Sequence, residues 1–171
     1  DYDIDNASAE ASSTWDRAPV RGDLVKTARW LDTANAYVLT RAKHDSAGRV
    51  IAELNELGAR TQRTYDATYG YMTSVTNPLG QVTSLGWDVV CWGQTSATDV
   101  NAQTTSTQYD ALCRPARTDL PGGGFELRSY VGFGNAWGQY VQTETPGPAG
   151  AGNLWTRTWM DGLGRPWRVE R

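Results

Sequence analysis

The sequence predicts an all-β fold of tandem antiparallel β-hairpins that form a twisted, solenoid-like sheet or part of a β-shell. A dipeptide of an aromatic residue and aspartate recurs at equal intervals, at Tyr65-Asp66, Trp87-Asp88 and Tyr109-Asp110. The chain is also rich in Gly (18 of 171 residues), Trp (8) and Tyr (8), with abundant threonine. Such a composition favours short strands joined by tight turns over packed helices. A fixed period of roughly 20–30 residues is typical of stacked repeat units.

The same pattern extends in altered form toward both ends of the chain. His44-Asp45 precedes Tyr65 at almost the same interval, and Trp15-Asp16 precedes His44 at a longer one. Met160-Asp161 opens a segment that resembles the one that follows Asp45. The repeat aromatic is thus replaced by histidine or methionine in two of the units.

These spacings predict the domain organisation. Residues 14–171 are expected to form a single repeat domain of about six hairpin units, in which insertions such as residues 146–152 lie in turns. Residues 1–13 are small, polar and without periodicity, which predicts a flexible arm.

Each unit contains two predicted turns, and therefore two strands. Asn and Asp side chains bond to the backbone two residues further on, and Gly adopts a positive φ without penalty. The first turn follows the repeat aspartate and includes Gly48 or Gly164. The second turns, with glycines Gly58, Gly80 and Gly122, are predicted at Asn55–Gly58, Asn77–Gly80, Asp99–Ala102 and Asp119–Gly122.

One segment carries a competing signal. Val50, Leu54 and Leu57 have helical spacing, and Gly58 follows as a potential C-cap. The repeat register instead places turns on both sides of Val50, so we predict a strand there.

These repeated residues resemble the tyrosine-aspartate (YD) repeat of the rearrangement-hotspot (Rhs) family. The resemblance rests on Thr64-Tyr-Asp66, on Tyr109-Asp-Ala-Leu-Cys-Arg114 with Thr118-Asp119, and on Asp161-Gly-Leu-Gly-Arg165. The family includes bacterial toxins, the B and C components of insecticidal toxin complexes, and teneurins. The resemblance implies a long β-sheet strip that spirals into a hollow shell, which in the toxins encloses a separate effector.

The chain departs from the family pattern at two glycine positions. Cys113 and Ala102 replace glycine, and an L-residue at positive φ costs about 1–2 kcal/mol, so these turns are expected to change type or to be strained. The self-cleavage motif of the family has no counterpart here, so self-cleavage is not expected.

The aromatic-aspartate order has a physical explanation. If each ring lies on the covered face at the end of a strand, successive pairs lie about 9.6 Å apart, and one intervening side chain bridges the gap. The aspartate then accepts backbone N–H bonds within its turn, and it meets the Arg that follows Gly48 or Gly164.

The two cysteines, Cys91 and Cys113, each follow the aspartate of their unit by three residues. Equivalent positions in consecutive hairpins are expected about 9.6 Å apart, beyond the roughly 7 Å limit for the Cα atoms of a disulfide. Separate thiols are therefore expected, whereas a disulfide requires distorted turns.

Several function classes find little support. The net charge is −3 and basic residues are not clustered, so nucleic acid is not an expected partner. No apolar run is long enough to span a bilayer. His44, the single histidine, occupies a repeat-aromatic position and is expected to be structural. No cofactor and no metal site are predicted, and no catalytic residues are assigned.

We therefore predict a structural, non-enzymatic module, most simply a segment of an Rhs-like shell around a toxin cargo. The alternatives are a self-assembling subunit of an extracellular fibre and a carbohydrate or cell-surface adhesion module. The expected partners are further repeats or other copies that pair through open sheet edges. The resemblance implies a secreted or cell-surface location in bacteria.

Overall fold

The computed structural model describes residues 22–171. The predicted arm at residues 1–13 and the pair Trp15-Asp16 lie outside the described residues. The described part contains thirteen strands and two short 3-10 turns, at Asp32–Ala34 and Pro121–Gly123. Contacts divide the chain into two compact units, one that ends at Ser84 and one that begins at Leu85.

The first unit contains five complete strands. They are β1 (Lys26–Leu31), β2 (Ala36–His44), β3 (Val50–Leu54), β4 (Arg60–Tyr65) and β5 (Met72–Thr76). Strand β6 (Val82–Trp87) begins in this unit and ends in the next.

The second unit contains the seven strands that follow. They are β7 (Gln94–Thr98), β8 (Thr104–Tyr109), β9 (Pro115–Asp119), β10 (Phe125–Val131), β11 (Tyr140–Pro146), β12 (Asn153–Met160) and β13 (Pro166–Glu170).

The strands pair in chain order, from β1 to β6 and from β7 to β13, and the paired registers are antiparallel. The register repeats with the sequence: Ser74 lies opposite Ser84 in the first unit, and Ser96 lies opposite Ser106 in the second. The predicted fold class, an all-β fold of tandem antiparallel hairpins, is confirmed.

Strand β3 resolves the ambiguity of residues 50–57 in favour of a strand. Ala52 and Leu54 project to one face and retain only 3% and 7% of their exposure, while Ala52 lies opposite Gln62 of β4. The helical spacing of Val50, Leu54 and Leu57 is coincidental, because Leu57 lies in the following turn and is exposed.

The core is thin. Among residues 22–171, Ala52 and Leu54 are the only apolar residues that are buried, and neither is fully buried. Hydrophobic burial of whole side chains therefore contributes less here than in a two-layer domain. The contacts that link neighbouring strands through half-buried side chains consequently matter more to stability.

The second turns of the units mostly follow the expected pattern. Asn55 Oδ1 accepts the N–H groups of Leu57 and Ala59, both at 2.9 Å, and Asn77 and Asp99 make equivalent bonds. Ala102 takes φ = 59°, so this turn keeps its type and carries the strain.

The last of these predicted turns, at Asp119–Gly122, begins one residue later than predicted. Asp119 ends strand β9, and its carboxylate accepts from the guanidinium of Arg117 at 2.8 Å instead of from a turn. The turn is closed by the bond from the Leu120 N–H to the Gly124 carbonyl, 2.7 Å long. Leucine has no side-chain acceptor for the turn, and the paired arginine holds the aspartate on the strand.

Candidate functional site at the turn edge

Three of the aspartate turns share one geometry, in which an arginine follows the aspartate by four residues. In each, Oδ1 of the aspartate accepts the backbone N–H groups two and four residues later, at 2.8–2.9 Å. Oδ2 accepts from the arginine Nε, at 2.6 Å for Arg49, 2.7 Å for Arg114 and 2.8 Å for Arg165. The carboxylate thus holds both the turn and the guanidinium.

The residue before each arginine makes this geometry accessible. Gly48 and Gly164 have φ of 83° and 75°, and Cys113 has φ of 59°. This left-handed conformation turns the next N–H back toward the carboxylate, as in other turns that require a positive φ. Cysteine performs the same task at the cost of backbone strain.

These contacts favour the charged aspartate. The backbone N–H of Arg49 holds the pKa of Asp45 below its usual range, and the hydrogen bond from the Arg114 side chain does the same for the pKa of Asp110. The backbone N–H of Arg165 lowers the pKa of Asp161. Hydrogen bonds to a carboxylate stabilise its ionised form.

Two aspartate turns are longer and lack the arginine. Asp66 bonds through its backbone N–H to the Tyr71 carbonyl, and Asp88 bonds in the same way to Gly93, so each turn spans six residues instead of five. Both carboxylates still accept backbone N–H groups within the turn. Partial burial raises the pKa of Asp66, but the N–H groups of Tyr69 and Tyr71 outweigh this effect and the pKa is lowered.

Tyrosines at the ends of strands reach across to the start of the preceding strand. The hydroxyl groups of Tyr65, Tyr109 and Tyr130 each donate to a backbone carbonyl 15 residues earlier. The acceptors are Val50 at 2.9 Å, Gln94 at 3.0 Å and Pro115 at 3.0 Å. One side chain in each of these units therefore bonds to the backbone of the neighbouring strand.

The ring of each of these tyrosines rests on the residue that precedes its carbonyl acceptor. The guanidinium of Arg49 lies 4.7 Å from the centroid of Tyr65, and that of Arg114 lies 4.1 Å from the centroid of Tyr130. Arg49 also donates to the carbonyl of Asp66, so it connects two consecutive turns. Cation–π contacts of this kind are worth about 0.5–1 kcal/mol where they are exposed.

Tyr109 rests on a glycine instead of an arginine. A side chain at Gly93 would overlap the Tyr109 ring, so the absence of a Cβ makes room for it. We name the arrangement of ring, supporting residue and carbonyl acceptor the tyrosine seat.

The remaining repeat positions use other side chains. Trp87 ends β6, and His44 ends β2 with its Nδ1 atom buried and without a hydrogen-bond partner. Met160 lies opposite Pro166 beside a bulge, and its N–H donates to the carbonyl of Gln139. The Gln139 side chain in turn donates to the Asp161 carbonyl.

Sequence reasoning found the aspartates but missed the tyrosine seat. Tyr130 does not match the aromatic-aspartate pattern, because Val131 follows it in place of aspartate. The acceptor and the tyrosine are separated by the same interval in all three seats. That interval was present in the sequence, yet a backbone carbonyl leaves no residue signature.

The expectation of separate thiols is wrong. Cys91 and Cys113 form a disulfide, and their Cα atoms are 4.9 Å apart, about one strand spacing. The estimate assumed equivalent positions in equal turns. However, the turn of Asp88 is one residue longer than that of Asp110, so Cys91 precedes the closing residue by two positions and Cys113 by one. The disulfide links the turn of Asp88 to the turn of Asp110. The turn of Asp88 is one of the two that lack the arginine.

Residues 44–82 match the family model described as RHS Repeat, which confirms the resemblance over that segment. The crystal structure of TcdB2-TccC3 superposes with a TM-score of 0.64 at 15% identity over 92% of this chain. The chain spans 10% of the length of that chain, so the likeness shows the fold. No curated protein sequence matches.

The chain therefore contains an RHS repeat and has an all-β fold of the same kind as TcdB2-TccC3. The repeat match supports a structural Rhs-type module. Residues 22–171 contain no helix with the length and apolar character that a membrane span requires.

Proposed function

We propose that this chain is a structural, non-enzymatic wall segment of an Rhs-type shell that encloses or presents a toxin cargo. The tyrosine seat carries the proposal. In each of three units one side chain bonds to the backbone of the neighbouring strand, and the acceptor is a main-chain carbonyl, which every residue supplies. Such a contact can be repeated wherever a further hairpin is added to the sheet, as a shell built of repeats requires.

The thin core supports the same role. With two buried apolar residues in the described part, the sheet depends on contacts between neighbouring strands. Strands β1 and β13 stand at the ends of the strand order. Unpaired edge strands recruit further strands, so we expect additional repeats to be the partners of this chain.

The disulfide supports a secreted or cell-surface location. Disulfides persist in oxidising compartments and are rare in the cytosol, where thiols are kept reduced. Cys91 and Cys113 together are all the cysteines of the chain, and both are bonded. A shell that protects a cargo outside the cell fits this chemistry.

Electron microscopy of the natural polypeptide that contains this chain tests the proposal. We expect closed, hollow particles with internal density for a cargo. Filaments made of stacked copies would contradict the shell and favour the fibre alternative. Particles without an internal space would also contradict it.

Carbohydrate binding is a second candidate because of one exposed cleft. A cleft of about 320 Å³ is lined by Ala136, Trp137, Asp161, Gly162 and Trp167. Trp137 is 84% exposed, which is unusual for an indole. Exposed indoles stack on sugar rings, so a glycan array tests this role. Binding that is lost in Trp137→Ala supports adhesion, and an array without signal excludes it for the glycans displayed.

A further inference from the structure

One of the three arginine turns lacks a tyrosine. Arg49 and Arg114 each support a tyrosine ring, and their side chains are 32% and 31% exposed. Arg165 makes the same bonds to Asp161, yet its side chain is 72% exposed. Among residues 22–171 no aromatic ring lies over Arg165. The third arginine turn therefore provides the support of a further seat, without a ring.

The backbone acceptor of this seat is also in place. Pro166 follows Arg165 as Pro115 follows Arg114, and the Pro115 carbonyl accepts the hydroxyl of Tyr130. Pro166 opens β13, which is the last strand in the described order, so no strand of residues 22–171 lies on its outer side.

Strand β13, which follows Arg165, exposes large apolar side chains. Its exposed large apolar residues are Trp167, which stands at a bulge, and Val169. They are 51% and 56% exposed. A neighbouring strand would cover both residues, in the way that cross-strand pairs cover each other within a sheet.

We propose that Arg165 and the Pro166 carbonyl form a docking site for an antiparallel β-strand that ends in tyrosine and belongs to polypeptide that continues the repeat. The phenol hydroxyl donates to the Pro166 carbonyl, and the ring lies against the Arg165 guanidinium. Asp161 already holds that guanidinium at 2.8 Å. The arginine side chain therefore loses little conformational entropy on docking. This inference rests on the proposed function, since it names the partner of the open edge.

Within residues 22–171, the edge strand β1 of a second copy does not supply the tyrosine that this site requires. That strand ends in Trp30-Leu31 and contains no tyrosine. The indole N–H of Trp30 already donates to the Asp32 carboxylate at 2.6 Å. An indole has no hydroxyl to donate to the Pro166 carbonyl.

The register of the chain itself defines the experiment. Strand β9 begins at Pro115 and leads to Tyr130, while β13 begins at Pro166 and leads to Arg171. A copy of residues 121–131 appended after Arg171 therefore places a tyrosine as far beyond Pro166 as Tyr130 lies beyond Pro115. The appended tyrosine is compared with phenylalanine and with alanine at the same position. Arg165→Ala tests the seat, and Arg168→Ala is the matched control, because the Arg168 guanidinium lies over the Trp159 ring, 5.8 Å from its centroid.

Amide hydrogen exchange of β13 and the NMR shifts of the Arg165 side chain give the readout. With appended tyrosine we expect exchange in β13 to slow by about tenfold relative to appended alanine, and the arginine resonances to shift upfield under the ring. Phenylalanine should give part of this protection. Arg165→Ala should remove the difference between tyrosine and alanine, whereas Arg168→Ala should leave it.

Three results would overturn the inference. They are equal exchange for appended tyrosine and alanine, an unchanged difference in Arg165→Ala, and protection of β13 in the unextended chain that rises with its own concentration. The last result would make a second copy the partner. If this docking experiment fails, the observation of hollow particles by electron microscopy would still support the shell. If docking is found but hollow particles are not, only the shell proposal is refuted.

Discussion

Removal of the disulfide between Cys91 and Cys113 should strongly destabilise the second unit. The proposed perturbation is the double substitution Cys91→Ser and Cys113→Ser. The two residues are 22 positions apart, and the loop between them contains β7 and β8. The entropy of closing a loop of this length corresponds to about 3 kcal/mol at 25 °C. That is a large fraction of the stability of an ordinary domain.

Urea unfolding followed by tryptophan fluorescence measures this loss. Wild-type protein under reducing conditions should match the double variant, because both lack the cross-link. The variant with Cys91→Ser and Cys113→Gly provides an internal check. Cys113 has φ = 59°, which costs about 1–2 kcal/mol for an L-residue, so glycine should recover part of the loss.

The reasoning fails if the double serine variant loses less than about 1 kcal/mol, or if reduction leaves the urea midpoint unchanged. Either result would mean that the turns hold their positions without the bond. The glycine variant separates the two contributions: if it equals the serine variant, the positive φ at Cys113 is not a source of strain.

Three further predictions concern single contacts. Tyr109→Phe removes the hydroxyl bond to the Gln94 carbonyl and should lower the free energy of unfolding by about 0.5–1.5 kcal/mol in urea titrations, and no change would count against the seat. Ala102→Gly should raise the melting temperature, because the turn has φ = 59° and relief of about 1–2 kcal/mol exceeds the backbone entropy cost of roughly 0.5–1 kcal/mol. The lowered pKa values of Asp45 and Asp110 add stability above the unfolded pKa near 4, and this stability should disappear as the pH falls further. Acid titration of the melting temperature should therefore be flat from pH 7 to about 5 and steep below about 4, and a flat profile below pH 4 would refute the role of these turns.

The hairpin order was predictable from the sequence because the period fixes it. Residues one period apart occupy matching places, so Ser74 and Ser96 each face a serine across the next strand. The turn residues then predicted where the strands begin and end. At Val50–Leu57 they favoured a strand over the helix that the apolar spacing suggests, and the structure has a strand at Val50–Leu54.

The seat and the disulfide were not predictable on the same grounds. A seat joins a side chain to a backbone carbonyl, and the carbonyl of Gln94 or Pro115 is chemically the same as any other. The disulfide depends on the lengths of two turns, and the turn of Asp88 differs from that of Asp110 by a single residue. A uniform spacing of hairpins conceals that difference.

A double-mutant cycle between Arg114 and Tyr130 tests the central claim most directly, namely that each seated ring is held by the preceding turn. Arg114→Ala and Tyr130→Leu are made singly and together, and the free energy of unfolding is measured for all four proteins. The contact at 4.1 Å predicts a coupling of about 0.5–1 kcal/mol. Strict additivity of the two substitutions would contradict the claim.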